Sequence, residues 1–295
     1  MSAVHDADRL LPSGLVRVRT WDGPSDNTVI VVHGLGGSVL DWELLGPLLA
    51  PYGRVVALDL PGFGHSPPPH DETFGLESQV RAVAELIESE GGTTHVIGNS
   101  MGGVVGVQLA AFAPETVRSL MLLSPAFPDP KPRAARAPLL ALASTKVGAT
   151  VFDRMSALPI AKQLEGRLAV SFVDPKRAPD AWTQASAALL TEQQSSPHIA
   201  RAYAEASRDL VLAIGDRGPD RHWELARRLR VPVLVAHSGR DKVVLPRLRH
   251  KWADVLPDST RVLFTRAGHV PQLSDPDLVA FTWLRFATSL PSWRA

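Results

Sequence analysis

The chain has 295 residues, long enough for one large hydrophobic core or for a core carrying an insertion. Apolar residues make up 45% and charged residues 21%, ordinary for a globular protein, and a net charge of +1 gives no sign of a dedicated nucleic-acid surface. The absence of cysteine excludes disulfides, a thiolate nucleophile and cysteine-ligated metals.

The first segment, "MSAVHDADRLLPSGLVRVRTW", lacks the basic-then-apolar order of a signal peptide. No apolar run approaches the ~18 residues that a membrane helix needs. A soluble, cytoplasmic protein is therefore expected. "LVRVRTW" (15–21) alternates as a strand does. "TVIVVHG" (28–34) and "RVVALDL" (54–60) are β-branched runs of the kind buried on both faces of a sheet. "LESQVRAVAELIESE" (76–90) has helical spacing and stops at Gly91 and Gly92. "HVIGNS" reads as a strand, "MGGVVGVQLAAFAP" (101–114) as a small-residue helix and "VRSLMLLS" (117–124) as a strand. Strands alternating with helices predict a parallel sheet with helices on its faces.

Residues 125–219 break this rhythm. The proline-rich "PAFPDPKPR" cannot continue a strand, and only helical patterns follow, in "APLLALASTKVG", "IAKQLEGRLAV", "APDAWTQASAALL" and "IARAYAEASRDLVLAIG". The alternation resumes with a helix over 222–230, a buried strand over 231–239, a short helix near "LPRLRHKWADVL", a strand over 261–268 and a final helix over "DLVAFTWLRFATSL". The expected organisation is a core over 1–124 and 220–295, interrupted by a helical cap over 125–219.

Within this frame "THVIGNSMGG" (94–103) carries chemistry. A G-x-S-x-G string alone turns up by chance in roughly one such chain in ten. Between a strand and a helix it gains mechanical meaning, because the tight turn strains the serine backbone and projects the hydroxyl above the sheet. Ser100 is thus the candidate nucleophile, with Gly98 and Gly102 giving room for close helix–strand packing. A serine hydroxyl needs a base, and the base needs an orienting group. Asp241 in "HSGRDKVV" and His269 in "RAGHVPQ" both follow downstream strands, on the side where strand C-termini lie and ligands bind. His269 would take the proton from Ser100, and Asp241 would hold the imidazole in its productive tautomer.

Attack on a carbonyl creates an oxyanion that needs preorganised donors. The N–H of Met101, directly after the nucleophile, is one candidate, and the N–H of Leu35, in the glycine loop "VVHGLGGS" (31–38), is the other. His33 is read as structural in that loop. A phosphate-cradle reading of "GLGG" fails, since G-x-G-x-x-G spacing and a P-loop lysine are missing.

Together "HGLGG", "DLPGFGHS", "GNSMGG", "SGRDKVV" and "AGHVPQ" resemble, in order and spacing, the α/β-hydrolase superfamily, in its branch of capped esterases, C–C bond hydrolases and cofactor-free haloperoxidases. The resemblance implies an eight-stranded, mostly parallel sheet, a triad on Ser100, Asp241 and His269, and no cofactor or metal. It implies that His65 and Ser66 support their loop, and, because some members of the superfamily take the acid from the end of the preceding core strand, that Asp129 is the rival acid. Relatives with an aspartate nucleophile are set apart by Ser100. A small hydrophobic carboxylic ester is the expected substrate, cleaved through an acyl-enzyme. The alternatives are C–C hydrolysis of vinylogous diketones, against which Val270 after His269 and the short glycine loop count, and a receptor-like, non-catalytic fold. Leu139, Leu140, Leu142, Phe152, Met155, Leu158 and Trp182 are candidates for an acyl pocket or for packing within the cap. Lys131, Arg133 and Arg136 read as solvated surface. Neither a nucleic-acid partner nor a membrane span is expected, and a homo-oligomer is left open.

Overall fold

The computed structural model describes residues 3–24, 26–129, 148–215, 220–291 and 293. Eight strands form one sheet in the order β1-β2-β4-β3-β5-β6-β7-β8. They are β1 (Val4–Leu11), β2 (Gly14–Trp21), β3 (Val29–Val32), β4 (Val55–Leu58), β5 (Thr94–Asn99), β6 (Val117–Leu123), β7 (Val233–Ser238) and β8 (Thr260–Phe264). β1 pairs with β2, and β2 with β4, antiparallel; every other pairing is parallel.

The strand interiors explain their place in the sheet. β3 (VIVV) and β4 (VVAL) are buried throughout, as strands covered by helices on both faces must be. Because successive side chains point to opposite faces, Ile30, Val32, Val56 and Leu58 join one core cluster while Val29, Val31, Val55 and Ala57 join another. The first cluster is closed by α1 (Leu76–Ser89) and α2 (Met101–Phe112), the second by Trp21, Trp42 and the last helix. Each fully buried leucine or valine contributes about 1.5–3 kcal/mol of transfer free energy, so the two faces are the main stabilising layers. β1, the edge partner of β2, is a strand that the sequence reading missed: most of it is exposed at the sheet edge, so its residues carry no core periodicity.

Between β6 and β7 the described residues hold α3 (Gly148–Ser156), α4 (Ile160–Ser171), α5 (Asp180–Gln193) and α6 (Ile199–Gly215), then α7 (Asp220–Arg227), and no strand. After β7 come α8 (Leu248–Val255) and, beyond β8, α9 (Pro276–Ala287). Phe172 and Trp182, between β6 and β7, pack with Val270 and Leu273, one and four residues after His269, in a small separate cluster. Leu139, Leu140, Leu142, Lys131, Arg133 and Arg136 lie outside the described residues. No helix among the described residues is long and apolar enough to cross a membrane.

Candidate active site

The parallel strands aim their C-terminal ends at one side of the sheet. β3 runs into the glycine loop, β5 into Ser100, β7 into Asp241 and β8 into His269. Ser100 joins β5 directly to α2 with φ 54° and ψ −113°, a conformation that a side chain with a Cβ seldom adopts. The surroundings enforce it. The Ser100 N–H donates to Leu123 O (2.9 Å), and its carbonyl accepts from the amides of Gly103, Val104 and Ala126. A Cβ at Gly98 would collide with the carbonyl of Gly102, and one at Gly102 with the carbonyl of Val32. Strand and helix can meet this closely only with glycine at both positions.

Asp241 and His269 are brought together. Both are buried, and His269 Nδ1 lies 2.8 Å from Asp241 Oδ2. The other oxygen, Oδ1, accepts from the amides of Val243 (2.8 Å) and Val244 (2.9 Å), which fixes the carboxylate plane. Burial pushes the Asp241 carboxyl up, but the His269 charge and hydrogen bond, with the two amides, outweigh it and hold the group below its ordinary value. An ionised carboxylate only accepts, so His269 donates through Nδ1 and keeps Nε2 as its basic nitrogen. Asp129, the rival acid, is instead ion-paired with Arg247, whose Nη2 and Nε donate to Oδ2 at 2.6 and 3.1 Å.

Asn99 links the two halves of the site, a role that sequence reading did not assign to it. Its Nδ2 donates to Leu123 O (3.0 Å) and to His269 O (3.1 Å), tying the backbone of His269 to the residue before Ser100. Its position inside the G-x-S-x-G string was the only available signal.

The glycine loop lies against the serine: a Cβ at Gly34 would fall 3.1 Å from that of Ser100. His33 is fully buried and acts inside the loop, as expected. Leu60 N–H donates to its Nε2 (2.9 Å), so Nδ1 carries the proton and donates to Gly34 O (2.7 Å). Burial lowers its pKa and keeps it neutral for this task. The amides of Leu35 and Met101 donate to no acceptor among the described residues. His65 and Ser66 support their own loop. Ser66 Oγ donates to Asp59 O (2.6 Å), and fully buried Asp59 accepts from the amides of Val39 (2.6 Å) and His65 (2.7 Å). Among the described residues no group of acidic or histidine side chains could hold a metal ion.

The helices between β6 and β7 grip the segment just after the glycine loop. Arg167 Nη2 donates to Asp41 Oδ1 (2.9 Å) in a pair largely shielded from solvent, and its guanidinium lies 5.5 Å from the Trp182 ring centre. Trp182 Nε1 donates to Leu40 O (3.0 Å). Trp182 is therefore a packing and anchoring residue, whereas Met155 and Leu158 are exposed. Phe152 stacks on Tyr203 of α6, their ring centres 4.9 Å apart.

The family model described as the alpha/beta hydrolase fold matches residues 27–276. The chain is 26% identical over 284 residues to a 2-hydroxy-6-oxo-6-(2'-aminophenyl)hexa-2,4-dienoic acid hydrolase of Metapseudomonas resinovorans, covering 95% of this chain and 90% of the relative. It is 29% identical over 262 residues to a pimeloyl-[acyl-carrier protein] methyl ester esterase of Neisseria meningitidis, covering 88% of this chain and 92% of the relative. Among solved structures, a meta-cleavage product hydrolase from Pseudomonas fluorescens IP01 superposes with a TM-score of 0.75 at 18% identity, over 96% of this chain and 97% of the other, a likeness of fold.

Proposed function

The chain belongs to the alpha/beta hydrolase fold family, and we propose that within it this protein is a serine hydrolase that cleaves a small hydrophobic carboxylic ester through an acyl-enzyme. The observation that carries the reading is the strained Ser100, whose neighbour Asn99 is bonded to the backbone of an imidazole already oriented by a buried carboxylate. Ser100 Oγ attacks the ester carbonyl while its proton passes to His269 Nε2. The carbonyl π pair moves onto oxygen, where the N–H groups of Leu35 and Met101 receive it. On collapse the C–O bond to the alcohol breaks, and the alcohol leaves with the proton from His269. Water then repeats the sequence on the acyl-enzyme. Asp241 keeps the imidazole in its tautomer and stabilises the imidazolium. The inserted helices serve as a cap over 125–219 and shape the substrate pocket.

The esterase relative from N. meningitidis supports ester cleavage, and the dienoate hydrolase relative from M. resinovorans supports the second reading, C–C bond hydrolysis. In this chain the residue after the histidine is Val270, buried in the small cluster beneath the insertion. Its aliphatic side chain offers no donor to a polar dienoate, which favours the ester. The test is a p-nitrophenyl ester series beside a ring-cleavage dienone, with Ser100→Ala as control and a fluorophosphonate probe for the nucleophile. Ester turnover and probe labelling, both lost in Ser100→Ala, are expected. Turnover of the dienone alone would select the second reading, and a wild type that neither labels nor turns over any substrate would refute both.

A further inference from the structure

Of the two tyrosines in the chain, Tyr52 is exposed, whereas Tyr203 is inserted into the functional region from α6. The inner face of α6 packs Ala202, Ala206 and Leu210 into the main core, which fixes the helix and so the tyrosine. The Tyr203 ring is held between Phe63, edge-on at 5.4 Å, and Phe152, stacked at 4.9 Å. Two aromatic walls leave a phenol little freedom, so the position of its hydroxyl is determined by packing.

That hydroxyl rests on the glycine loop. A Cβ at Gly36 would collide with it, and Gly36 has φ +71°, so glycine is required there both by backbone and by space. The Tyr203 O–H makes no hydrogen bond among the described residues; Asp41, whose Oδ1 accepts from Arg167 Nη2, acts on it through its charge. Burial raises the phenol pKa, with Arg167 opposing and Asp41 assisting, so the group is a neutral donor at any ordinary pH. One residue away, the Leu35 N–H is also without an acceptor. Its direction is set: Gly34 O is bound by His33 Nδ1 (2.7 Å) and by Gly37 N–H (3.0 Å), and in a trans peptide the N–H points opposite to the carbonyl. Two uncommitted donors therefore lie at adjacent positions, 35 and 36, of the loop whose Gly34 lies against Ser100.

We propose that Tyr203 is a catalytic residue that donates a third hydrogen bond, beside the amides of Leu35 and Met101, to the oxygen of the substrate carbonyl as it becomes an oxyanion. The inference rests on the acyl-transfer reading above. No proton is transferred from the phenol: the carbonyl π pair goes to oxygen, the serine proton goes to His269, and Tyr203 keeps its hydrogen while bonding the new charge. Such a donor acts on the transition state more than on the ground state, so its loss falls on kcat.

The experiment compares Tyr203→Phe with Tyr52→Phe in p-nitrophenyl ester turnover and in affinity for an alkyl boronic acid, which forms a tetrahedral adduct on the serine. Tyr203→Phe is expected to lose about 10–100-fold in kcat, with KM within about twofold and boronate affinity falling in parallel, while Tyr52→Phe stays at wild type. Full incorporation of difluorotyrosine gives a second readout: its more acidic phenol stops donating at lower pH, so the alkaline limb of kcat moves down in the fluorinated wild type and stays in place in fluorinated Tyr203→Phe. Unchanged kcat and boronate affinity in Tyr203→Phe, or a rise in KM alone, overturns the assignment while fluorophosphonate labelling of wild-type Ser100 keeps the hydrolase reading intact. Absence of that labelling and of turnover in the wild type overturns both.

Discussion

His95 should set much of the pH dependence of stability. It is fully buried at the start of β5, its Nδ1 is 2.9 Å from Ser119 Oγ, and its Nε2 has no hydrogen-bond partner among the described residues. Trp283 and Trp293 flank the ring at 5.4 and 5.3 Å. Burial, helped by Arg118, lowers its pKa from 6.5 to about 4. The folded value is depressed, so the contribution to stability is complete above pH 6.5 and is lost as pH falls toward 4. At pH 5 the unfolded chain binds the proton about thirty-fold more favourably than the folded one, which is a loss of about 2 kcal/mol. His237, also buried and at about 4, adds about the same, so roughly 4 kcal/mol disappears between pH 7.5 and pH 5. That is a large part of a typical total stability of about 5–15 kcal/mol. The check is urea unfolding followed by tryptophan fluorescence at pH 7.5, 6 and 5, in wild type and His95→Gln. The variant should lose about 2 kcal/mol less than wild type across this range. Parallel curves for the two proteins would refute the reasoning.

Two further outcomes are expected. Asp241→Asn should lower kcat by about 10⁴-fold by favouring the wrong imidazole tautomer, while Asp129→Asn, whose carboxylate serves Arg247, should leave kcat within about threefold; the reverse pattern in an ester assay would move the acid to Asp129. His65 bridges Asp59, beneath it, and Glu192 on α5, 3.0 Å away, and its pKa is raised by the Asp59 hydrogen bond, against burial and with the Asp59 and Glu192 charges; Asp6 is also within reach of its charge. A raised folded value means stability present in full below pH 6.5 and lost as pH rises, so Glu192→Gln should cost under about 1 kcal/mol in thermal melts at pH 6 and nothing at pH 9, the pair being partly exposed.

The order of strands and helices was readable because glycine and proline punctuate apolar runs of the right period. Ser100, Asp241 and His269 each stand just past a strand, so their types and spacing pointed to one rim before any distance was known. β1 was not readable, since an exposed edge strand owes its place to backbone pairing with β2 and carries no apolar alternation. Tyr203 and Arg167 were equally silent. Their partners, Gly36 and Asp41, lie more than a hundred residues earlier, and no local pattern announces a contact made by the packing of α4 and α6. Asn99 was in plain view, yet its bond to His269 O exists only once two distant strand ends share a rim.

The hold of Arg167 and Trp182 on residues 40 and 41 makes the helices between β6 and β7 and the segment after the glycine loop a single mechanical part. On the proposed mechanism, a descendant of this chain that alters its choice of substrate through those helices also disturbs the backbone beside the proposed oxyanion donors, so selectivity and speed are inherited together. Met155 and Leu158 are exposed instead, so changes there disturb little packing.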